Sequence, residues 1–281
     1  MIAPALREAA FLDDVSRAAA TEPHSLHLWW LGQSGFLVQW RNRHLLLDPY
    51  LSDSLTAKYA STDKPHVRLS ERVIAPEKLN FIDVVTSSHN HTDHLDPDTL
   101  LPLLTANSQV SILVPLANVS FVAQRLSVAA ERLRGIDAGG SADLGGFKFH
   151  AVPAAHPGLD RDAQGHHLFL GYVVECGPWR IYHSGDTLHF PGQEEWLKTF
   201  SIDVALLPIN GDRPERRVAG NLDGPQAARL ARDIGAQLCI PCHYDMFEFN
   251  TATPEEFIRE AHALGQSVQV LRQGQRQSFR R

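Results

Sequence analysis

The feature that most constrains the fold is a run of potential metal ligands, His-x-His-x-Asp-His, at residues 89–94. It directly follows a short β-rich segment, so the four side chains leave a turn at the end of a predicted strand. Histidine is the commonest metal ligand in proteins, and aspartate is a hard oxygen ligand. On such a turn His89 and His91 can share one ion while Asp93 and His94 reach a second. A solvated loop rich in histidine is the alternative, but four ligand-type residues in six positions favour a metal site.

A complete metal site needs further ligands from distant parts of the chain. Three residues have a suitable position, each just beyond a predicted strand: His156, Asp186 and His243. Taken singly, each of them would pass for an ordinary loop residue. The ordered set of seven is much more specific than any of its members, so all seven are candidate ligands.

Strand and helix patterns alternate along the chain and predict a layered α/β fold. An amphipathic pattern predicts a helix over 3–20, within an N-terminal helical extension at 1–24. The polar segment 49–80 predicts a long loop, in which Lys58, Tyr59 and Lys64 either cover a pocket or lie in solvent. Predicted strands cover 26–31, 35–40, 44–48, 82–86, 111–114, 146–153, 168–176, 180–183, 203–207, 237–240 and 268–271. Further predicted helices cover 97–104, 116–126, 194–199, 224–234 and 254–264. Neither a repeat nor a linker interrupts this pattern, so we expect one domain over 1–281.

Composition excludes several classes of protein. The net charge of −6 argues against nucleic acid as the main partner. No apolar run approaches the ~18 residues of a membrane span, so we expect no membrane partner. Only three cysteines occur, which excludes a disulfide scaffold and fits a reducing compartment. The first twenty residues lack the apolar core of a signal peptide, so a cytoplasmic location is expected.

The ordered ligand set resembles the metallo-β-lactamase superfamily, from about residue 28 to residue 271. Within it the chain is most similar to the L-ascorbate-6-phosphate lactonase-like group. The motifs behind that narrower similarity lie at 30–35 (WLGQSG), 48–53 (DPYLSD), 89–96, 182–187 (YHSGDT), 207–211 (LPING) and 240–247. The resemblance implies an αββα sandwich with two divalent metal ions at one edge. It also implies a ligand assignment: His89, His91 and His156 on one ion, Asp93, His94 and His243 on the second, and Asp186 on both.

The chemistry implied by this ligand set is hydrolysis. Two ions ~3.5–4 Å apart share a water and lower its pKa toward ~7, so the bridging hydroxide is the nucleophile. We expect Asp186 to hold both ions and Asp93 to accept a hydrogen bond from the hydroxide. His183 is a candidate proton donor to the leaving group, with a core histidine satisfied by the backbone as the alternative. Nitrogen and oxygen ligands without thiolate suit Zn²⁺ or Mn²⁺, with Fe²⁺ as a third candidate.

Other polar residues follow strand ends near the predicted site. Asp48 either orients a metal-bound histidine or forms an Asx turn before a proline. Asn210 either lines the pocket or belongs to a turn with the glycine that follows it. Arg213, Arg216 and Arg217 either bind a phosphate or carboxylate of the substrate or lie on a solvated loop.

These observations favour an enzyme that opens a lactone or a related ester of a small polar or phosphorylated compound. A phosphodiesterase of the same superfamily is one alternative, and a metal-binding module without catalysis is another. The acidic charge balance and the lack of a long basic tract count against nucleic acid as a substrate. The expected partner is therefore a small, anionic molecule, and a homo-oligomer is left open.

Overall fold

The computed structural model describes residues 1–281 as two β-sheets packed face to face, with helices on both outer faces. Thirteen strands form the sheets: β1 (Leu26–Gly32), β2 (Gly35–Trp40), β3 (Arg43–Leu47), β4 (Val84–Thr86), β5 (Ser111–Pro115), β6 (Leu133–Ile136), β7 (Ser141–Leu144), β8 (Phe147–Pro153), β9 (Leu170–Cys176), β10 (Trp179–His183), β11 (Val204–Pro208), β12 (Leu238–Cys242) and β13 (Arg276–Phe279). The first sheet has the order β13-β1-β2-β3-β4-β5-β6, and the second has the order β12-β11-β10-β9-β8-β7.

Helices account for most of the remaining regular structure. The α-helices are α1 (Glu8–Thr21), α2 (Ser54–Tyr59), α3 (Pro97–Ala106), α4 (Val119–Leu126), α5 (Gln193–Leu197), α6 (Gly224–Asp233) and α7 (Glu255–Leu264). None of them has both the length and the apolar composition that crossing a membrane requires.

Strand β1 shows how one segment contributes to two layers. Successive side chains of a strand point to opposite faces of the sheet. Leu28 and Trp30 belong to the core between the sheets, together with residues of the second sheet such as Phe149. Trp29 and Leu31 face the other way and pack with buried residues of α1, α3 and α4. On the second sheet α6 covers β11 and β12, and α7 packs on α6. The layers therefore follow the αββα order that the resemblance implies.

The direction of the strands brings distant parts of the chain to one edge. In the first sheet β3, β4 and β5 are parallel neighbours. In the second sheet β10, β11 and β12 are parallel neighbours. Strands β8 and β10 both run antiparallel to β9, so they also point the same way. Residues just beyond the carboxyl ends of these strands therefore collect along one edge of each sheet.

Two segments near the start of the chain differ from the prediction. Helix α1 begins at Glu8 rather than at residue 3, because Ile2 forms a backbone bridge with Ser70, residues 5–6 form a bend and Arg7 is extended. The predicted loop at 49–80 contains α2. Six residues are too few to show an amphipathic period, so no periodic pattern marks this helix.

The strand prediction is wrong at two places. Strands β6 and β7 were missed because their short segments mix glycine, charged and apolar residues. Residues 268–271 form no strand, because this segment makes only one bridge, between Val268 and Cys239 of β12. The last strand is instead β13, which pairs antiparallel with β1 at the edge of the first sheet. Its Arg-Gln-Ser-Phe sequence is mostly polar, as edge strands often are, so an apolar pattern does not find it.

Helix α3 offers a test of the layered packing. Leu103 has no exposed surface and packs in the cluster under the first sheet, whereas Leu101 on the same helix is 41% exposed. Leu103→Ala should lower the free energy of unfolding by about 2–5 kcal/mol, because it leaves a cavity. Leu101→Ala should change it by no more than about 0.5 kcal/mol. Urea unfolding followed by circular dichroism measures both values, and equal losses would contradict this placement of α3.

Candidate metal centre

The seven candidate ligands meet at the edge where the strands end. Their donor atoms form two groups, and within each group all donor atoms lie within 4.8 Å of one another. The first group is His89, His91 and His156, and the second is Asp93, His94, Asp186 and His243. Each group draws on both sheets, because residues 89–94 follow β4 of the first sheet and the other three ligands follow strands of the second. The structure thus brings together residues that are up to about 150 positions apart in the chain.

Asp186 lies between the two groups. Its Oδ1 atom is 3.2 Å from Nε2 of His94. Its Oδ2 atom is 3.4 Å from Nε2 of His243 and 3.7 Å from Nε2 of His156. The carboxylate therefore contacts histidines of both groups, which is the position that a residue shared by two ions needs.

The spacing of the donor atoms resembles the spacing of ligand atoms around a bound metal ion. Nε2 of His89 and Nε2 of His94 are buried and have no hydrogen-bond partner, which is costly for a polar atom. Donors around a tetrahedral metal at about 2.0–2.1 Å lie roughly 3.3 Å from one another. In the second group the separations are 3.2 Å for His94–Asp186, 3.4 Å for His243–Asp186, 3.4 Å for His243–Asp93 and 3.8 Å for His94–Asp93. The residues present therefore fit a divalent metal ion.

Hydrogen bonds fix the turn that carries four of these ligands. The backbone N–H of His94 donates to the carbonyl oxygen of His91 at 3.1 Å. Directly after the turn, Asp96 is the N-cap of α3, and its carboxylate also accepts hydrogen bonds from the hydroxyls of Ser52 and Thr99, both at 2.6 Å. A capped helix therefore anchors one end of the turn.

Asp48 lies behind this turn, just beyond the end of β3, and is fully buried. The Nδ1–H group of His94 donates to Oδ2 of Asp48 at 2.7 Å. The Thr86 hydroxyl and the Ser88 backbone N–H donate to the other oxygen, Oδ1, at 2.9 and 3.1 Å. The bond to Asp48 turns the imidazole of His94 so that its Nε2 atom faces the other donors, as carboxylates behind metal-binding histidines do.

The turn between β1 and β2 contributes two side-chain contacts and one backbone contact that sequence reasoning missed. Nε2 of Gln33 donates to Oδ2 of Asp93 at 3.0 Å, and the Ser34 hydroxyl donates to Oδ1 of Asp186 at 3.3 Å. The backbone carbonyl of Gln33 also accepts from the N–H of His243 at 3.0 Å. A signal was present in the sequence, because two polar residues between glycines interrupt an otherwise apolar hairpin.

Burial and charge act differently on the two groups. In the first group, burial lowers the pKa of His89 well below its usual value, which favours the neutral imidazole. Burial opposes the charged form of His94 as well, but the charges of Asp186 and Asp93 outweigh it and raise that pKa. The same balance raises the pKa of His243 to about 9. The buried carboxylate of Asp186 and the partly buried one of Asp93 therefore require positive charge, which either protons or metal ions can supply.

His183 is not where a proton donor to the leaving group has to be. It has no exposed surface, and its Nε2–H donates to the carbonyl oxygen of Ser34 at 2.8 Å. Its ring also packs edge-on against Phe36 in the core. His183 is the last residue of β10 and points into the sandwich, so its role is to hold the turn that contains Ser34.

The predicted substrate-binding residues also lie outside the pocket. Arg213 is exposed, and Arg217 forms an exposed ion pair with Asp63. Arg216 donates to the backbone carbonyl of Asn210 at 2.6 Å. The Asn210 side chain is buried and hydrogen-bonded to two other asparagines. These residues therefore hold the loop together, because its backbone carbonyls need donors that the sheet does not provide.

A pocket of about 340 Å³ opens onto the candidate ligands. Two further sets of residues line it: a cationic cluster of Lys58, Lys64 and Arg125, and an aromatic cluster of Tyr59, His66, Phe247 and Phe249. Lys58, Tyr59 and Lys64 of the predicted loop at 49–80 therefore do border a pocket. Arg125 gave no signal in the sequence, because a basic residue in the last turn of a helix is ordinary.

Comparison with known proteins identifies the family. Residues 43–244 match the β-lactamase superfamily domain. A UPF0173 metal-dependent hydrolase from Rubrobacter xylanophilus is 29% identical over 250 residues, which cover 86% of this chain and 90% of that protein. One from Nanoarchaeum equitans is 30% identical over 245 residues, which cover 86% and 94%. Igni18, a metallo hydrolase from Ignicoccus hospitalis, has the same fold, with a TM-score of 0.67 at 22% identity over 92% of this chain and 99% of that one. The chain belongs to the metallo-β-lactamase superfamily and, within it, to the UPF0173 family of metal-dependent hydrolases.

Proposed function

We propose that this chain is a metal-dependent hydrolase that opens a lactone or related ester bond of a small anionic compound. The observation that carries the proposal is the arrangement of seven histidine and aspartate donors in two groups that meet at Asp186. The pocket beside them, about 340 Å³, has the size of a small-molecule site. The relatives are named metal-dependent hydrolases, which supports hydrolysis without naming a substrate.

Two divalent ions suit this donor set. The donors are nitrogen and oxygen atoms without thiolate, a combination that accepts Zn²⁺, Mn²⁺ or Fe²⁺. The proposed assignment is His89, His91 and His156 on one ion, Asp93, His94 and His243 on the second, and Asp186 on both. Ions held there would activate a water molecule and polarise the bond to be cleaved.

The chain's own residues orient these groups and move the proton. Asp48 holds His94, and Gln33 holds Asp93. The side chain of Asp93 is 16% exposed and lines the pocket. Its carboxylate can therefore take a proton from the attacking water and return it to the leaving oxygen. This assigns to Asp93 the proton transfer that the sequence suggested for His183.

The preference for a lactone rests on the narrower resemblance to L-ascorbate-6-phosphate lactonase-like enzymes. A phosphodiesterase is the second candidate, because the cationic cluster of the pocket suits a phosphate as well as a carboxylate. A screen of lactones, phosphodiesters and phosphomonoesters separates these two activities.

Metal removal tests the proposed chemistry. Elemental analysis should find close to two divalent ions per chain. A chelator should abolish hydrolysis in the screen, and added Zn²⁺ or Mn²⁺ should restore it. Asp186→Ala should remove both activity and bound metal, because both groups lose a donor. Asp143→Ala, at an exposed position of β7, is the matched control.

Hydrolysis that survives chelation would refute the proposal. Metal binding without hydrolysis of any of the three substrate classes would favour a metal-binding module without catalysis.

A second test concerns the support of His94 by Asp48. Asp48→Asn removes the negative charge that orients His94, so metal affinity should fall about 10–100-fold. Asp203→Asn is the control, since Asp203 is equally buried but lies at the opposite end of the second sheet, where it accepts from the N–H of Arg180 at 2.8 Å. Competition with a chelating dye measures both affinities. The same loss in the two variants would show that Asp48 acts only through stability.

A further inference from the structure

Two cations of the pocket converge on one hydroxyl beside the candidate ligands. Nζ of Lys58 donates to Oγ1 of Thr92 at 3.2 Å, and Nη2 of Arg125 donates to the same oxygen at 3.0 Å. Lys58 belongs to α2 and Arg125 to α4, so two helices far apart in the chain deliver these charges. Thr92 stands between His91 and Asp93, which places both cations next to the ligand-bearing turn.

The chain does not neutralise these cations with an acidic partner. Neither Lys58 nor Arg125 forms an ion pair, and the third member of the cationic cluster, Lys64, donates to the backbone carbonyl of Arg217 at 2.6 Å. In contrast, Arg68 pairs with an aspartate at 3.0 Å close by. Like charges that converge without a counter-ion repel each other, so an anion between them would be stabilised.

The aromatic cluster adds a largely apolar surface to the same pocket. The rings of Tyr59 and His66 are stacked, with centroids 4.5 Å apart and planes at 26°. The His66 ring also lies 5.3 Å from that of Phe247 and 5.1 Å from that of Phe249. The pocket therefore offers an apolar body and a charged end next to the proposed metal ions.

We propose that Lys58, Arg125 and Thr92 bind an oxyanion substituent of the substrate, a phosphate or a carboxylate that is not itself cleaved. The inference rests on the proposed function and names its substrate class: a small ester or lactone with a second, anionic group. Lysine supplies a point charge and arginine a planar pair of donors, and together they hold an oxyanion more specifically than either alone. With its oxyanion bound to these three residues, the substrate places its ester bond beside the two groups of candidate metal ligands.

Titration of the metal-loaded protein with phenylphosphonate, benzoate and benzyl alcohol tests this site without turnover, because none of the three has a bond that a hydrolase of esters or phosphate esters can cleave. The anions should bind more tightly than the neutral alcohol. Lys58→Gln and Arg125→Gln should each weaken anion binding about ten- to hundredfold. Arg217→Gln is the control, because that side chain pairs with Asp63 outside the pocket. Metal content is measured for every variant, since an anion can also bind to the ions.

The outcomes separate this inference from the function on which it rests. A loss of affinity confined to phenylphosphonate assigns a phosphate site, a loss confined to benzoate assigns a carboxylate site, and a loss for both assigns a general oxyanion site. Unchanged affinities for both anions in Lys58→Gln and Arg125→Gln overturn the inference, even if the wild-type protein hydrolyses esters. Wild-type protein that binds the anions through these residues but hydrolyses nothing in the screen refutes the proposed function and leaves the anion site standing.

Discussion

The buried carboxylate of Asp186 is the group around which this edge of the sandwich is organised. Removing a carboxylate from water is costly unless positive charge and hydrogen bonds replace the lost hydration. Asp186 is only 4% exposed, and its partners are the Ser34 hydroxyl and the imidazoles of His94, His156 and His243. These partners come from one hairpin turn, one turn after β4 and the ends of two further strands. The strand directions and the sheet order must therefore deliver all of them to the same place.

The sequence singles out the seven residues that the structure brings together at this edge, because their signal is local. Each of them stands just beyond a strand, and four of them lie within six residues. The way the two ligand-bearing turns approach each other is less visible in the sequence. Gly185 has a φ of 60°, and a Cβ atom there would lie 2.6 Å from the side chain of Ser88. Only glycine permits this approach, so the Gly-Asp pair is needed for geometry as much as for its carboxylate.

The sequence predicts less about residues whose direction depends on tertiary contacts. His183 and Asp186 are three residues apart, yet one points into the core and the other toward the pocket, because the strand ends between them. The arginines of 213–217 carry the right chemistry for an anion, but Arg216 instead donates to the backbone carbonyls of Asn210 and Thr251 and so ties its loop to a neighbouring segment. Of the cations that do line the pocket, Lys58 comes from α2, which is too short to show a period, Lys64 from the segment after it, and Arg125 from the last turn of α4.

Both ligand groups take members from the first sheet and from the second, and this has a mechanical consequence. Any ion held by either group is a cross-link between two halves that are otherwise joined by apolar packing, by hydrogen bonds such as those of Ser34 with Asp186 and His183, and by the connecting chain. An ion that binds the folded chain and not the unfolded one adds to stability by mass action. Bound metal would therefore stabilise the interface between the two sheets most at the edge where chemistry is proposed. The stability of that interface would vary with the concentration of available metal. Without metal, the two sheets would separate first at this edge, while their packing at the opposite end of the sandwich would persist.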